Sequence, residues 1–153
     1  MKRPQLAQSA CPIDRSLYEI GDSWTFMILR DAMHGVKRFT DFRRHIGIAS
    51  NVLSVRLQNL VDKGIFEVQE SALGNSHEYV LTEKGRDFHA VLSALRQWGQ
   101  KYLFDDGDEM TRVVERATGK PPAEMVLTSQ GGRPLMLEDV TLAPITVNRH
   151  AET

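Results

Sequence analysis

The chain has 153 residues, 41% of them hydrophobic and 25% charged, with a net charge of −1; this fits one globular core with a small appendage and excludes a uniformly basic nucleic-acid binder. The single cysteine, Cys11, excludes an intrachain disulfide framework and an all-cysteine zinc site, and points to a reducing cytoplasm. No apolar run approaches the roughly 20 residues of a membrane span, and no apolar segment follows Met1-Lys2-Arg3-Pro4-Gln5 as a secretory signal would require.

Residues 1–10 read as a flexible arm. Cys11-Pro12 opens a first helix, with proline where its missing N–H is not needed. Ile13, Leu17 and Ile20 repeat at helical spacing, and Gly21 is a natural stop. Ser23 reads as the cap of a second helix ending near Met33. Trp24, Phe26, Met27, Ile28, Leu29 and Ala32 leave it few polar faces, so it belongs at the centre of the core. His34-Gly35 ends it, and Lys37-Arg38-Phe39 reads as a short strand. Thr40 reads as the cap of a third helix that buries Phe42 and Ile46. The turn His45-Ile46-Gly47-Ile48-Ala49 then leads into a fourth helix, capped by Ser50 and running to Lys63 before Gly64.

In that fourth helix Leu53, Leu57, Leu60 and Val61 form the core stripe. At 100° per residue the opposite face centres on Asn51, Val55, Gln58 and Asp62, with Ser54, Arg56 and Asn59 at its edges. Strands follow over 65–71 and 77–81, with Gly74-Asn75-Ser76 at the tip between them. Two short helices across a glycine-containing turn, followed by a hairpin, read as a helix-turn-helix with a β-wing; a short helix polar on one side fits the DNA major groove.

Thr82 reads as the cap of a long fifth helix reaching about 104. Phe88, Val91, Leu92, Leu95, Trp98, Gly99 and Tyr102 recur every three or four residues along it. At about 1.5 Å per residue it would span roughly 33 Å, and so long an apolar stripe predicts a subunit interface. Residues 105–108 form an acidic break, and 110–117 read as a short helix stopped by Gly119 and Pro121-Pro122. Residues 124–128 and 135–137 flank a turn and read as a β-hairpin tail, with 140–147 as a further strand. The expected fold is therefore mainly α with a small β-wing (α+β), divided into an arm (1–10), a DNA-binding and dimerisation domain (11–104) and an acidic extension (105–153).

Charge is distributed unevenly. Residues 1–104 hold 14 cationic and 11 acidic side chains, net +3; residues 105–153 hold 5 and 9, net −4. Between Lys37 and Lys63 stand six cations (Lys37, Arg38, Arg43, Arg44, Arg56, Lys63) against Asp41 and Asp62. A local positive patch, not global charge, is what phosphate contact needs. Ser50, Asn51, Ser54 and Gln58 can reach bases or phosphates, the amides suiting adenine through paired bonds to N6 and N7, and Val55 can meet a thymine methyl. Arg56, at the flank, can either hold a phosphate or brace the helix by a salt bridge. Arg38, Thr40, Arg43 and Arg44 are placed for phosphates, and the wing tip Asn75, Ser76 and His77 for modest backbone contacts.

Cys11 sits at a helix N-terminus with Arg15 one turn on, both of which favour the reactive thiolate; a small packing residue at a helix start is the plainer reading. The five histidines show no metal-ligand spacing. Trp24, Phe26 and Met27 read as core before they read as a ligand cavity. No phosphate-binding glycine loop, HExxH or GxSxG is present, so neither an enzyme nor a cofactor is expected.

These residues resemble the HxlR-type winged helix-turn-helix transcriptional regulators, relatives of the MarR proteins, over about 11–102. The carriers are Cys11-Pro12, Ile20-Gly21-Asp22-Ser23-Trp24-Thr25, Ile28-Leu29-Arg30, Arg38-Phe39-Thr40-Asp41-Phe42, Asn51-Val52-Leu53 with Arg56-Leu57, Lys63-Gly64-Ile65 and Glu78-Tyr79-Val80-Leu81-Thr82-Glu83-Lys84-Gly85. The resemblance implies a homodimer joined through its terminal helices, recognition helices in successive major grooves of double-stranded DNA, and repressor or activator activity on a palindromic operator. It also implies tuning by a small-molecule effector or by oxidation at Cys11, where relatives carry a sensing cysteine. Longer relatives have cysteine-bearing tails; here the turn reads Thr128-Ser129-Gln130-Gly131-Gly132, without one, so no metal is expected. The alternative reading is a winged-helix protein-interaction module whose working surface is the acidic tail.

Overall fold

Pro12 sets the first helical position of α1 (Pro12–Ile20), and Gly21 ends it. Gly21 is required for space and not for a left-handed backbone: its φ is −78°, and a Cβ there would lie 2.3 Å from the Leu17 carbonyl oxygen. The cap of α2 (Ser23–Met33) is Asp22, one residue before the expected Ser23. Its carboxylate accepts from the Thr25 amide at 3.1 Å and from the Thr25 hydroxyl at 2.6 Å, satisfying a helix-end N–H that would otherwise be orphaned. These positions come from a computed structural model in which residues 6–71, 74 and 76–146 are described.

The chain divides into two compact units, 1–96 and 97–153. In the first, α2 sits centrally as its composition predicts, with Ile28 and Leu29 fully enclosed. After it, Lys37-Arg38-Phe39 does not form the expected strand. The Lys37 carbonyl accepts one bond from the Tyr79 amide (2.8 Å) and the chain turns directly into α3 (Phe39–Ile46). Arg38, not Thr40, is the residue before α3, and it caps nothing with its side chain. Gly47 closes α3 in the left-handed conformation (φ 70°), which a side chain would strain. Ile48 plugs the turn into the core, and Ala49, not Ser50, precedes α4 (Ser50–Asp62).

The core stripe of α4 is as the periodicity predicts: Leu53, Leu57 and Leu60 are buried against Phe42, Ile46 and Ile65. The wing is a two-stranded antiparallel hairpin of β1 (Phe66–Glu70) and β2 (His77–Leu81), in register Phe66↔Leu81 and Val68↔Tyr79. Edge-on ring contacts run Phe42–Phe66–Tyr79, each with 6.3 Å between centroids, and tie α3 to the wing. Thr82 leaves the wing with two tasks. Its hydroxyl donates to the Gly64 carbonyl (2.7 Å) at the end of α4 and accepts from the Gly85 amide (3.2 Å) to cap the next helix.

That next helix is broken where the sequence reads as one continuous rod. α5 (Glu83–Asp87) ends at Phe88, and α6 (His89–Tyr102) follows. The interruption coincides with Phe88 packing edge-on against Phe26 at 5.4 Å.

Residues 6–10, expected as a loose arm, fold back on α1 in their described part. Ser9 Oγ donates to Asp14 (2.6 Å) and accepts from the Cys11 amide (3.0 Å). Residues 1–5 and Val147, the end of the expected last strand, lie outside the described residues.

In the second unit the expected helix over 110–117 does not form; the segment is irregular and turns at Gly119 (φ 67°). Its β-branched Thr111, Val113 and Val114 lower the helix propensity of the segment. The hairpin reduces to a single bridge, Thr128↔Pro134, supported by Leu135 N–H to the Leu127 carbonyl at 2.8 Å. The predicted strand over 140–147 is absent in its described part, and one 3-10 turn stands at Leu137–Asp139. Gln97 supplies what the strands do not: its amide oxygen accepts from Met125 N–H (2.8 Å) and its amide nitrogen donates to the Met125 carbonyl (3.0 Å). Among the described residues no helix is long and apolar enough to cross a membrane.

Candidate nucleic-acid interface

α4 buries its leucines and thereby turns Asn51, Ser54, Val55 and Gln58 outward; all four are exposed, Val55 by 59%. None of the described residues of the first unit covers this face. Its chemistry is short and polar, with one methyl-bearing contact and, near its end, Asp62. Gln58 donates its amide to Asp62 at 2.8 Å. Asn51 and Ser54 make no side-chain hydrogen bond among the described residues, so their groups are free for a ligand.

The start of α4 is joined to α3 through Arg43, whose Nη1 donates to the Ser50 hydroxyl at 3.2 Å. Arg43 and Ser50, chosen separately from sequence, thus form one polar corner beside the turn. Thr40 lies exposed on the first turn of α3.

The other cations are engaged. Arg38 and Lys37 share Glu78 on β2, at 3.5 and 4.0 Å. Arg44 pairs with Asp41 at 2.7 Å. Lys63 pairs with Glu19 at 3.8 Å. Arg56 reaches Asp22 at 3.3 Å and is half-buried, which is the geometry of the bracing alternative: it fastens α4 to the cap of α2. Among the described residues, Arg43 alone of the six cations between Lys37 and Lys63 has no carboxylate within 4.0 Å. The positive patch read from composition is therefore largely neutralised within the free protein.

At the wing, His77 is exposed, whereas Ser76 Oγ is enclosed, with no hydrogen-bond partner among the described residues. Asn75 lies outside the described residues. Sequence reasoning missed Glu78 and Asp22, which come from distant segments. Only Asp22 had a local signal, an acid three residues before Thr25.

Cys11 is half-buried and unpaired. Arg15, expected beside the thiol, instead donates Nε to the Ser9 carbonyl at 2.6 Å. Among the described residues no group of three His, Cys, Asp or Glu side chains is placed to hold a metal ion.

The sequence profile described as HxlR-like helix-turn-helix matches residues 19–106, which span every element of this interface. The HTH-type transcriptional regulator Rv3095 of Mycobacterium tuberculosis, itself uncharacterized, is 35% identical over 133 residues, covering 86% of this chain and 84% of that one. The crystal structure of PA1607, a candidate transcription factor, superimposes with a TM-score of 0.87 at 39% identity, covering 91% of this chain and 98% of that one. The redox regulator HypR in its reduced form gives a TM-score of 0.55 at 29% identity over 60% of this chain and 92% of its own.

Proposed function

Because the chain belongs to the HxlR-like helix-turn-helix family of transcriptional regulators, we propose that it works as a homodimer that represses transcription from a palindromic operator, reading bases with α4. The observation that carries the reading is the exposed polar face Asn51–Ser54–Val55–Gln58, held outward by three buried leucines. A protein-interaction module would call for apolar or acidic groups there. The paired copies would set two such helices one turn of B-form DNA apart, about 34 Å. Arg43 and Ser50 are the proposed phosphate anchor next to the bases, with Thr40 and His77 as outlying backbone contacts. Arg38 and Arg44 join them once DNA phosphates displace Glu78 and Asp41.

Selection from random duplexes with the purified full chain tests this directly. An inverted repeat should be enriched, and affinity for it should fall steeply with added salt. Enrichment of no sequence, or affinity indifferent to salt, overturns the proposal.

A second reading concerns regulation by oxidation. It is supported by the half-buried free thiol of Cys11 at the start of α1 and by similarity to a redox regulator. As the chain's only cysteine, it would give a sulfenic acid, a mixed disulfide or an intersubunit bond. Mild peroxide should change DNA affinity in the wild type and leave Cys11→Ser unchanged; equal responses from the two proteins end the idea.

A further inference from the structure

A cleft of about 520 Å³ opens in the first unit between the end of α2, strand β2 and the α5–α6 break. Its size is that of a small-molecule site. Ala32, Met33, Val36 and Leu81 supply an apolar wall, and Tyr79 contributes its ring. The charged and imidazole groups of the lining are Lys37, Arg86 and His89, with no carboxylate among the described residues. Arg86 is steadied by donating Nη1 to the Leu81 carbonyl at 2.7 Å. The nearby acid on β2, Glu78, is not among the described lining residues and is engaged with Lys37 and Arg38.

We infer that this cleft binds an amphipathic organic carboxylate, its apolar body against Met33, Val36 and Leu81 and its anionic end between Lys37 and Arg86. A lining that combines cationic and apolar side chains disfavours a neutral hydrocarbon and a bare inorganic anion alike. Occupancy reaches the DNA face by a short route. A carboxylate on Lys37 takes that cation from Glu78 and leaves Glu78 wholly to Arg38, which is then held back from phosphate. The bond from the Tyr79 amide to the Lys37 carbonyl couples the same wall to the wing. The ligand therefore weakens DNA binding, and DNA weakens the ligand by the same factor. This regulatory half rests on the DNA-binding reading above; the ligand-binding half does not.

The test uses the full chain, first without DNA. Calorimetry and ligand-observed NMR compare 1-naphthoate and octanoate with the neutral alcohols 1-naphthalenemethanol and octanol. At least one carboxylate should bind with Kd below about 1 mM and about tenfold or more tighter than its matched alcohol. The Lys37→Gln/Arg86→Gln double variant, shown to be folded by its circular dichroism and melting curve, should lose that preference. Binding of neither carboxylate, equal binding of acid and alcohol, or an unchanged preference in the variant overturns the site. With the selected duplex added, the bound carboxylate should lower wild-type DNA affinity by about fivefold or more; unchanged DNA affinity overturns the coupling. Carboxylate binding in a protein that selects no duplex sinks the regulator reading and leaves the cleft standing. Duplex selection without carboxylate binding sinks the cleft alone.

Discussion

At the scale of single residues, the interface is decided by which cations are already occupied. Arg38, Lys37, Arg44, Arg56 and Lys63 each face a carboxylate, whereas Arg43, among the described residues, faces the Ser50 hydroxyl and no carboxylate. The more exposed of these pairs, Arg44–Asp41 and those of Lys37 and Arg38 with Glu78, are worth roughly 0.2–1 kcal/mol, little enough for a phosphate to break. Glu78→Gln removes the competitor of two cations at once. It should raise affinity for any duplex by roughly two- to fivefold and steepen the log–log salt slope by about 0.9 for each phosphate gained; an unchanged or weaker affinity would place Lys37 and Arg38 off the DNA. The outward set on α4 was legible because helical geometry alone fixes which side chains oppose buried leucines. The pairing of the cations was not legible, since Glu78 and Asp22 come from elements far along the chain. At Ser76 the enclosed hydroxyl could not be foreseen, because it depends on how the wing tip packs and not on residue type.

At the scale of elements, strongly periodic segments and glycine stops were readable, and caps and weak segments less so. Gly47 is required by its left-handed backbone and Gly64 likewise (φ 66°), so α3, the turn and α4 followed from the sequence. Caps slipped by one or two residues because Asp22 competes with Ser23, and because α3 and α4 start without any side-chain cap. The break at Phe88 has no glycine or proline to announce it, and comes with tertiary packing. Gly85 shows the opposite case, a local requirement that only the structure exposes: a Cβ there would meet the Ile65 carbonyl oxygen at 2.4 Å. Since the obstructing Ile65 oxygen is backbone and cannot swing aside, Gly85→Ala should cost about 1–3 kcal/mol. Thermal unfolding should show a melting temperature lower by roughly 3–10 °C; an unchanged value would mean that α5 can shift without loss.

At the scale of the molecule, α6 stands out because it contains no buried residue. Val91, Leu95, Trp98 and Tyr102 are exposed at helical spacing, and on α1 Ile13 and Leu17 are exposed as well. Apolar stripes of this length on a helix are characteristic of an interface, and this supports the proposed homodimer. Leu95→Glu places a charge in the stripe without touching the core. Sedimentation should then report a monomer, and affinity for a two-half-site duplex should fall towards that for a single half-site; a dimer of unchanged stability would locate the interface elsewhere.

The central claim is that α4 reads bases while Arg43 holds backbone, and one paired titration separates the two. Binding of Asn51→Ala and Arg43→Ala is measured on the selected duplex and on a scrambled one across a salt series. Asn51→Ala should lose about 1–3 kcal/mol on the selected duplex only, with an unchanged salt slope. Arg43→Ala should weaken both duplexes alike and flatten the slope by about 0.9. Loss of equal size on both duplexes for Asn51→Ala, or no loss at all, would contradict the account.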